Sequence, residues 1–150
     1  MSKITQIFDQ LKVIVAAELP TYKQIPNPYE LEQGSSVMLA KGYGIAVGAG
    51  HNTERQLSCQ QSIERQFGIL LTRQMSYTEH DAANRNLLEK EILEDHHKLN
   101  KAIEKNVSLS QIVAKITYSS DNGLEFLGVE SGRYLTIFST FTCEYFENLT

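Results

Sequence analysis

Arg133-Tyr134-Leu135-Thr136-Ile137-Phe138-Ser139-Thr140-Phe141-Thr142-Cys143-Glu144-Tyr145-Phe146 is the stretch whose reading decides the fold. Leu135, Ile137, Phe141, Cys143 and Tyr145 fall on one side of an extended backbone. Tyr134, Phe138 and Phe146 fall on the other, interleaved with Thr136, Thr140 and Thr142. Period-two alternation with β-branched and aromatic residues predicts one uninterrupted strand, apolar on both faces. At about 3.3 Å per residue it reaches roughly 45 Å. A compact chain of this length has a radius of gyration near 15 Å and spans about 38 Å. The strand therefore overhangs its own domain, and a second copy of the chain is the expected cover.

Working outward, 150 residues fit a single α+β domain over 1–150, large enough to bury a core unaided. A hydrophobic share of 41% and a charged share of 21% describe an ordinary globule. The net charge of −4, with basic residues scattered, argues against duplex or sequence-specific nucleic-acid binding, which needs clustered Lys and Arg. Cys59 and Cys143 occupy apolar strand positions and read as buried free thiols. No leader, lipidation motif or long apolar run is legible, so the expectation is a chain that folds in cytosol and spans no membrane.

Ile4, Ile7, Phe8, Leu11, Ile14 and Val15 recur at helical spacing, with Ser2 as cap and Pro20 as stop. The run from Thr21 to Gln33, with Pro26-Asn27-Pro28, predicts an irregular connection. Val37–Leu39 and Tyr43–Val47 read as short strands, followed by a loop over Gly48–Arg55. Leu57, Cys59, Ile63, Phe67, Ile69 and Leu71 then keep one parity of a long half-buried strand, in which Gly68 marks a bulge or a close backbone approach. A second helix is capped by Thr78, with Glu79 and Asp81 in its first turn. Its buried face carries Leu88, Ile92, His96, Leu99 and Ile103, broadened by Leu93, and it stops at Asn106. Leu109–Ile112 predicts a helical turn before a strand bearing Ile112, Ala114, Ile116 and Tyr118. Ser119–Gly132, with Asp121-Asn122-Gly123, reads as a long loop or arm. The order predicts an α+β fold: an antiparallel or mixed sheet carrying an N-terminal and a mid-chain helix, closed by a long C-terminal strand.

Catalytic signatures are absent. The glycines of Gly42-Tyr43-Gly44-Ile45-Ala46-Val47-Gly48-Ala49-Gly50 have the wrong spacing for a dinucleotide fingerprint and lead into a strand, and no P-loop occurs. His96 and His97 are neighbours on a helix and diverge, whereas a helical metal pair needs i and i+4. Glu91 and Asp95 have i,i+4 spacing, which on a helix reads as a solvated face. There is no Gly-x-Ser-x-Gly elbow. The expectation is a non-enzyme without cofactor or metal. Tyr and Arg favour protein interfaces, so Tyr43, His51 and Arg55 around the glycine segment are candidate contact residues. Phe126 and Leu127, apolar on the predicted Ser119–Gly132 loop, join them.

Lys41-Gly42-Tyr43-Gly44, Arg55-Gln56-Leu57-Ser58-Cys59, Leu71-Thr72-Arg73-Gln74 and Glu144-Tyr145-Phe146-Glu147 look like strings in tail terminator, or tail-completion, proteins of long-tailed bacteriophages. The order of elements is similar along almost the whole chain. The resemblance implies a structural virion protein of the tail or neck, assembled in the host cytoplasm. Such a protein forms a hexameric ring that caps the tail tube, ends its polymerisation and presents the head-joining surface. The partners implied are further copies of the chain, the tail tube protein and a head-completion or connector protein, with the genome free to pass through the ring. On that reading Arg65, Arg73, Tyr134 and Phe138 on the long strands are candidate subunit contacts, and Arg133 joins Arg55 as a candidate loop contact. Two alternatives stand beside it: another neck component, such as a stopper, and a small cytosolic α+β enzyme.

Overall fold

The structure is a computed structural model, and it describes residues 2–25, 41–57, 60–75, 82–129 and 132–148. Helix α1 (Lys3–Glu18) leads to a two-residue strand β1 (Lys23–Gln24) and a long hairpin, β2 (Lys41–Leu57) with β3 (Gln60–Gln74). Helices α2 (Ala82–Lys105) and α3 (Val107–Ser110) follow, then a second long hairpin, β4 (Lys115–Val129) with β5 (Gly132–Asn148). The five strands form one sheet in the order β1-β2-β3-β5-β4. Among the described residues only the β1–β2 pair is parallel, so the sheet is mixed and the α+β expectation holds.

The C-terminal strand behaves as its alternation demands. β3 and β5 pair without a break from Gln60↔Asn148 to Gln74↔Tyr134. One face of this ladder therefore carries Phe67, Ile69 and Leu71 opposite Phe141, Ser139 and Ile137. That face receives Ile7, Leu11, Ile14 and Val15 of α1 and Leu88, Ile92, Leu99 and Ile103 of α2, all buried in one core. Leu93, expected to broaden the α2 face, lies off it and is 43% exposed. The opposite face, open in the sense that no described helix packs on it, carries a smaller cluster of Ile25 and Leu70 with Leu127 and Phe138 against them. Gly68 sits there because a Cβ would lie 2.2 Å from Phe138 Cζ, which is the close approach expected of it.

Local chemistry fixes the helix ends. The Ser2 hydroxyl accepts from Thr5 N–H, and Glu147 Oε1 on β5 accepts the Lys3 N–H at 3.0 Å. Both place acceptors where α1 has unpaired donors. Asn106 ends α2 and caps α3 by accepting from Leu109 N–H at 2.7 Å. Thr78, Glu79, Asp81, Pro26–Pro28, Val37–Leu39, Cys59 and His80 lie outside the described residues.

Two expectations are corrected. Gly48–Arg55 is strand rather than loop: β2 continues to Leu57, with register shifts between Val47 and Gly50 and between Asn52 and Gln56. The apolar parity that begins at Leu57 is thus shared between two strands. The described part of Ser119–Gly132 is likewise paired strand, β4 to Val129 and β5 from Gly132, not an arm. Asp121-Asn122-Gly123 looks like a turn but serves as a bulge. Gly123 takes φ +71°, and its N–H donates to Asp121 Oδ1 at 2.7 Å.

Candidate assembly interface

A strand of 17 residues such as β5 runs about 55 Å, whereas α1 and α2, with 16 and 24 residues, run about 24 and 36 Å. The helix layer is shorter than the sheet beneath it. Candidate residues for a contact through the sheet lie on the open face and at the hairpin ends.

The candidates separate by what already holds them. Tyr43 is 6% exposed and Tyr134 1%, so neither has surface to offer a partner. Arg65 donates from Nε to the Tyr145 hydroxyl and from Nη1 to the Gly48 carbonyl, each at 3.0 Å. It spans the β2 irregularity from within. Arg73 donates to Glu91 Oε2 at 3.0 Å and has Nη1 3.9 Å from Asp95 Oδ2. The Tyr22 hydroxyl donates to the same Asp95 oxygen at 2.7 Å, and burial with that carboxylate pushes Tyr22 up. Both arginines bind elements of their own chain together.

His51, Phe126 and Arg133 are exposed; Leu127 and Phe138 are half-buried on the open face. Phe126 is 57% exposed on β4, with Arg85 of α2 lying 5.7 Å from its ring centroid. Arg55 belongs to the distal part of β2, and its side chain lies outside the description. Further along the open face the surface turns polar, with Glu64, Lys115, Thr117, Ser119, Thr142 and Glu144 around a shallow depression. The exposed candidates thus gather at hairpin ends and on the helix-free face, not at one pocket.

One polar cluster lies where the sequence reading placed only a buried helix face. His96 Nδ1 is 2.9 Å from Ser139 Oγ, and Asn100 Nδ2 is 3.1 Å from His96 Nε2. With the amide as donor, the imidazole is neutral and Nδ1–H donates to Ser139. Burial pushes His96 below its ordinary value, while Asp121, with Oδ2 at 3.8 Å from Nε2, opposes that shift. The Tyr118 hydroxyl donates to Asp121, and this bond holds the carboxyl below the usual range. Serine, histidine and aspartate are the residues of an acyl-transfer triad, yet the Ser139 side chain lies between sheet and α2 at 3% exposure. A nucleophile there cannot meet a carbonyl from solvent. The cluster pairs both His96 nitrogens and the Ser139 hydroxyl under α2 and leaves Asn100 Oδ1 buried without a hydrogen-bond partner. A lone histidine among apolar positions was its signal in the sequence.

Among the described residues no group of three or more His, Cys, Asp or Glu side chains could hold a metal ion. No described helix is long and apolar enough to cross a membrane. Cys143 is buried and free. No protein-family model matches the chain, and a search of curated proteins found no match.

Proposed function

We propose that the chain is a ring-forming tail terminator of a long-tailed bacteriophage, a structural subunit that caps the tail tube, stops its growth and offers the head-joining surface. One observation carries the reading: among the described residues the sheet outruns its helices, which pack on one of its faces. A closed ring needs a heterologous contact repeated about one axis. The hairpin ends that bear His51, Phe126 and Arg133, with Leu127 and Phe138 on the open face, supply two unlike surfaces for such a contact. The resemblance of element order and of the strings around Lys41, Leu71 and Glu144 supports the same role.

The test is the mass of the purified chain by light scattering over a concentration series, with negative-stain images of the same samples. Mass converging on six copies with annular particles supports the ring. A chain that stays below six copies alone and also fails to associate with purified tail tubes refutes it. Association with a connector in place of the tube would assign the chain to another level of the neck.

A further inference from the structure

We infer that the outer face of α2 is a two-fold self-recognition surface, on which two copies of this chain pair their α2 helices antiparallel. Leu87, Glu91, Glu94, Lys98, Lys101 and Lys105 recur at alternating steps of four and three, so they form one stripe. All six are exposed, on the side of α2 away from Leu88, Ile92, Leu99 and Ile103. Charge divides the stripe in the middle: Glu91 and Glu94 precede residue 96, and Lys98, Lys101 and Lys105 follow it. The positions are symmetric about that residue. An axis beside it therefore sets Glu94 of each copy against Lys98 of the other, and Glu91 against Lys101.

Only this arrangement sets both glutamates of each copy against lysines of the other. Two α2 helices side by side and parallel would put Glu on Glu and Lys on Lys. A parallel pair staggered by half a helix would match one half and leave the other without a partner. A complement to both halves at once must read basic then acidic, and the chain's own α2 run backwards is such a sequence. At the ends of the stripe the two-fold sets Leu87 of each copy, 59% exposed, beside the aliphatic stem of the other copy's Lys105. The lysine half also borders a groove against α1 with Ile14, Ala17 and Ala102 in its lining. The inference is independent of the ring reading: α2 lies on the helix layer, so pairing there does not occupy the sheet edges or the open face.

The association is weak and salt-sensitive. One Glu91 oxygen is already held by Arg73, and Glu94 and Lys98 have the i,i+4 spacing of an intrahelical pair. Sedimentation equilibrium of the full chain at low salt tests it, with circular dichroism to check folding. At low salt the mass of the native chain should rise with concentration towards twice that of the unit, single chain or ring, found at high salt. E94K and K98E each gather four like charges around the axis and should raise the dissociation constant about tenfold or more. The double variant E94K/K98E restores the pattern and should return it to within about threefold of native. Mild oxidation of E94C/K98C should saturate at covalent pairs, because both cross-links join the same two chains. A native chain whose mass stays at that of its high-salt unit, single variants that associate as the native does, a double variant as dissociated as the singles, or a ladder of larger cross-linked species would each overturn the inference.

Discussion

Gly68→Ala is the substitution whose consequence the geometry specifies best. The new Cβ would stand 2.2 Å from Phe138 Cζ and 2.9 Å from each Cε, where carbon contacts normally begin near 3.5 Å. The obstacle is the tip of a half-buried ring, so the ring swings outward and the backbone holds. Full burial of a Phe is worth about 1.5–3 kcal/mol, and Phe138 gives up roughly half of that on leaving Ile25, Leu70 and Leu127. The expected loss is about 1–1.5 kcal/mol, a fall in Tm of about 3–5 °C for a chain of this size. Phe138→Ala removes the obstacle. In that background Gly68→Ala should cost almost nothing, which gives a coupling near 1 kcal/mol in a urea-unfolding double-mutant cycle. Costs that add within about 0.3 kcal/mol would refute the close approach.

Four other outcomes follow from the same structure. His96 titrates near 6.5 when unfolded and below that when folded, so in between the unfolded chain binds the extra proton and stability falls as pH falls. Denaturant unfolding between about pH 7.5 and 5 should show this decline, and His96→Gln should flatten it; the depressed Asp121 carboxyl adds a loss of the same sign in the acidic carboxylate range. Arg73→Met removes the cation between Glu91 and Asp95 and should cost about 1–2 kcal/mol in the same assay, reduced from a fully buried pair because both carboxylates reach water. Gly123→Ala meets no neighbour but must keep φ +71°, so it should cost about 1–2 kcal/mol, and Gly123→Asn less. Burial pushes the Cys143 thiol up to about 12, so peptide mapping should find it unalkylated by iodoacetamide at neutral pH in the folded chain and fully alkylated after denaturation.

Most of the fold was legible because both faces of β5 and the buried faces of α1 and α2 are written in period. Leu135 to Tyr145 alternate with a single polar interruption at Ser139, and Ile7, Leu11 and Ile14 step by four and three. The errors came where turn chemistry was used inside strands. Gly48, Gly50 and Asp121-Asn122-Gly123 have the composition of loops, yet each accommodates a bulge that keeps a long hairpin paired. The interface was less legible. Arg65 and Arg73 look available in sequence but are taken up by Tyr145, 80 residues away, and Glu91, 18 away. No local pattern encodes such partners. Tyr43 and Tyr134 share strands with residues of the core and are themselves buried. The α2 stripe was visible as charges at helical spacing; its symmetry about residue 96 acquires meaning only once Leu88, Ile92 and Leu99 fix which face is buried.

The most direct test of the terminator reading is to add the gold-labelled chain to growing tail tubes and image them by electron microscopy. The account predicts label at one end of each tube and arrested growth there. Label along the walls, at neither end, or at ends that keep growing would contradict it.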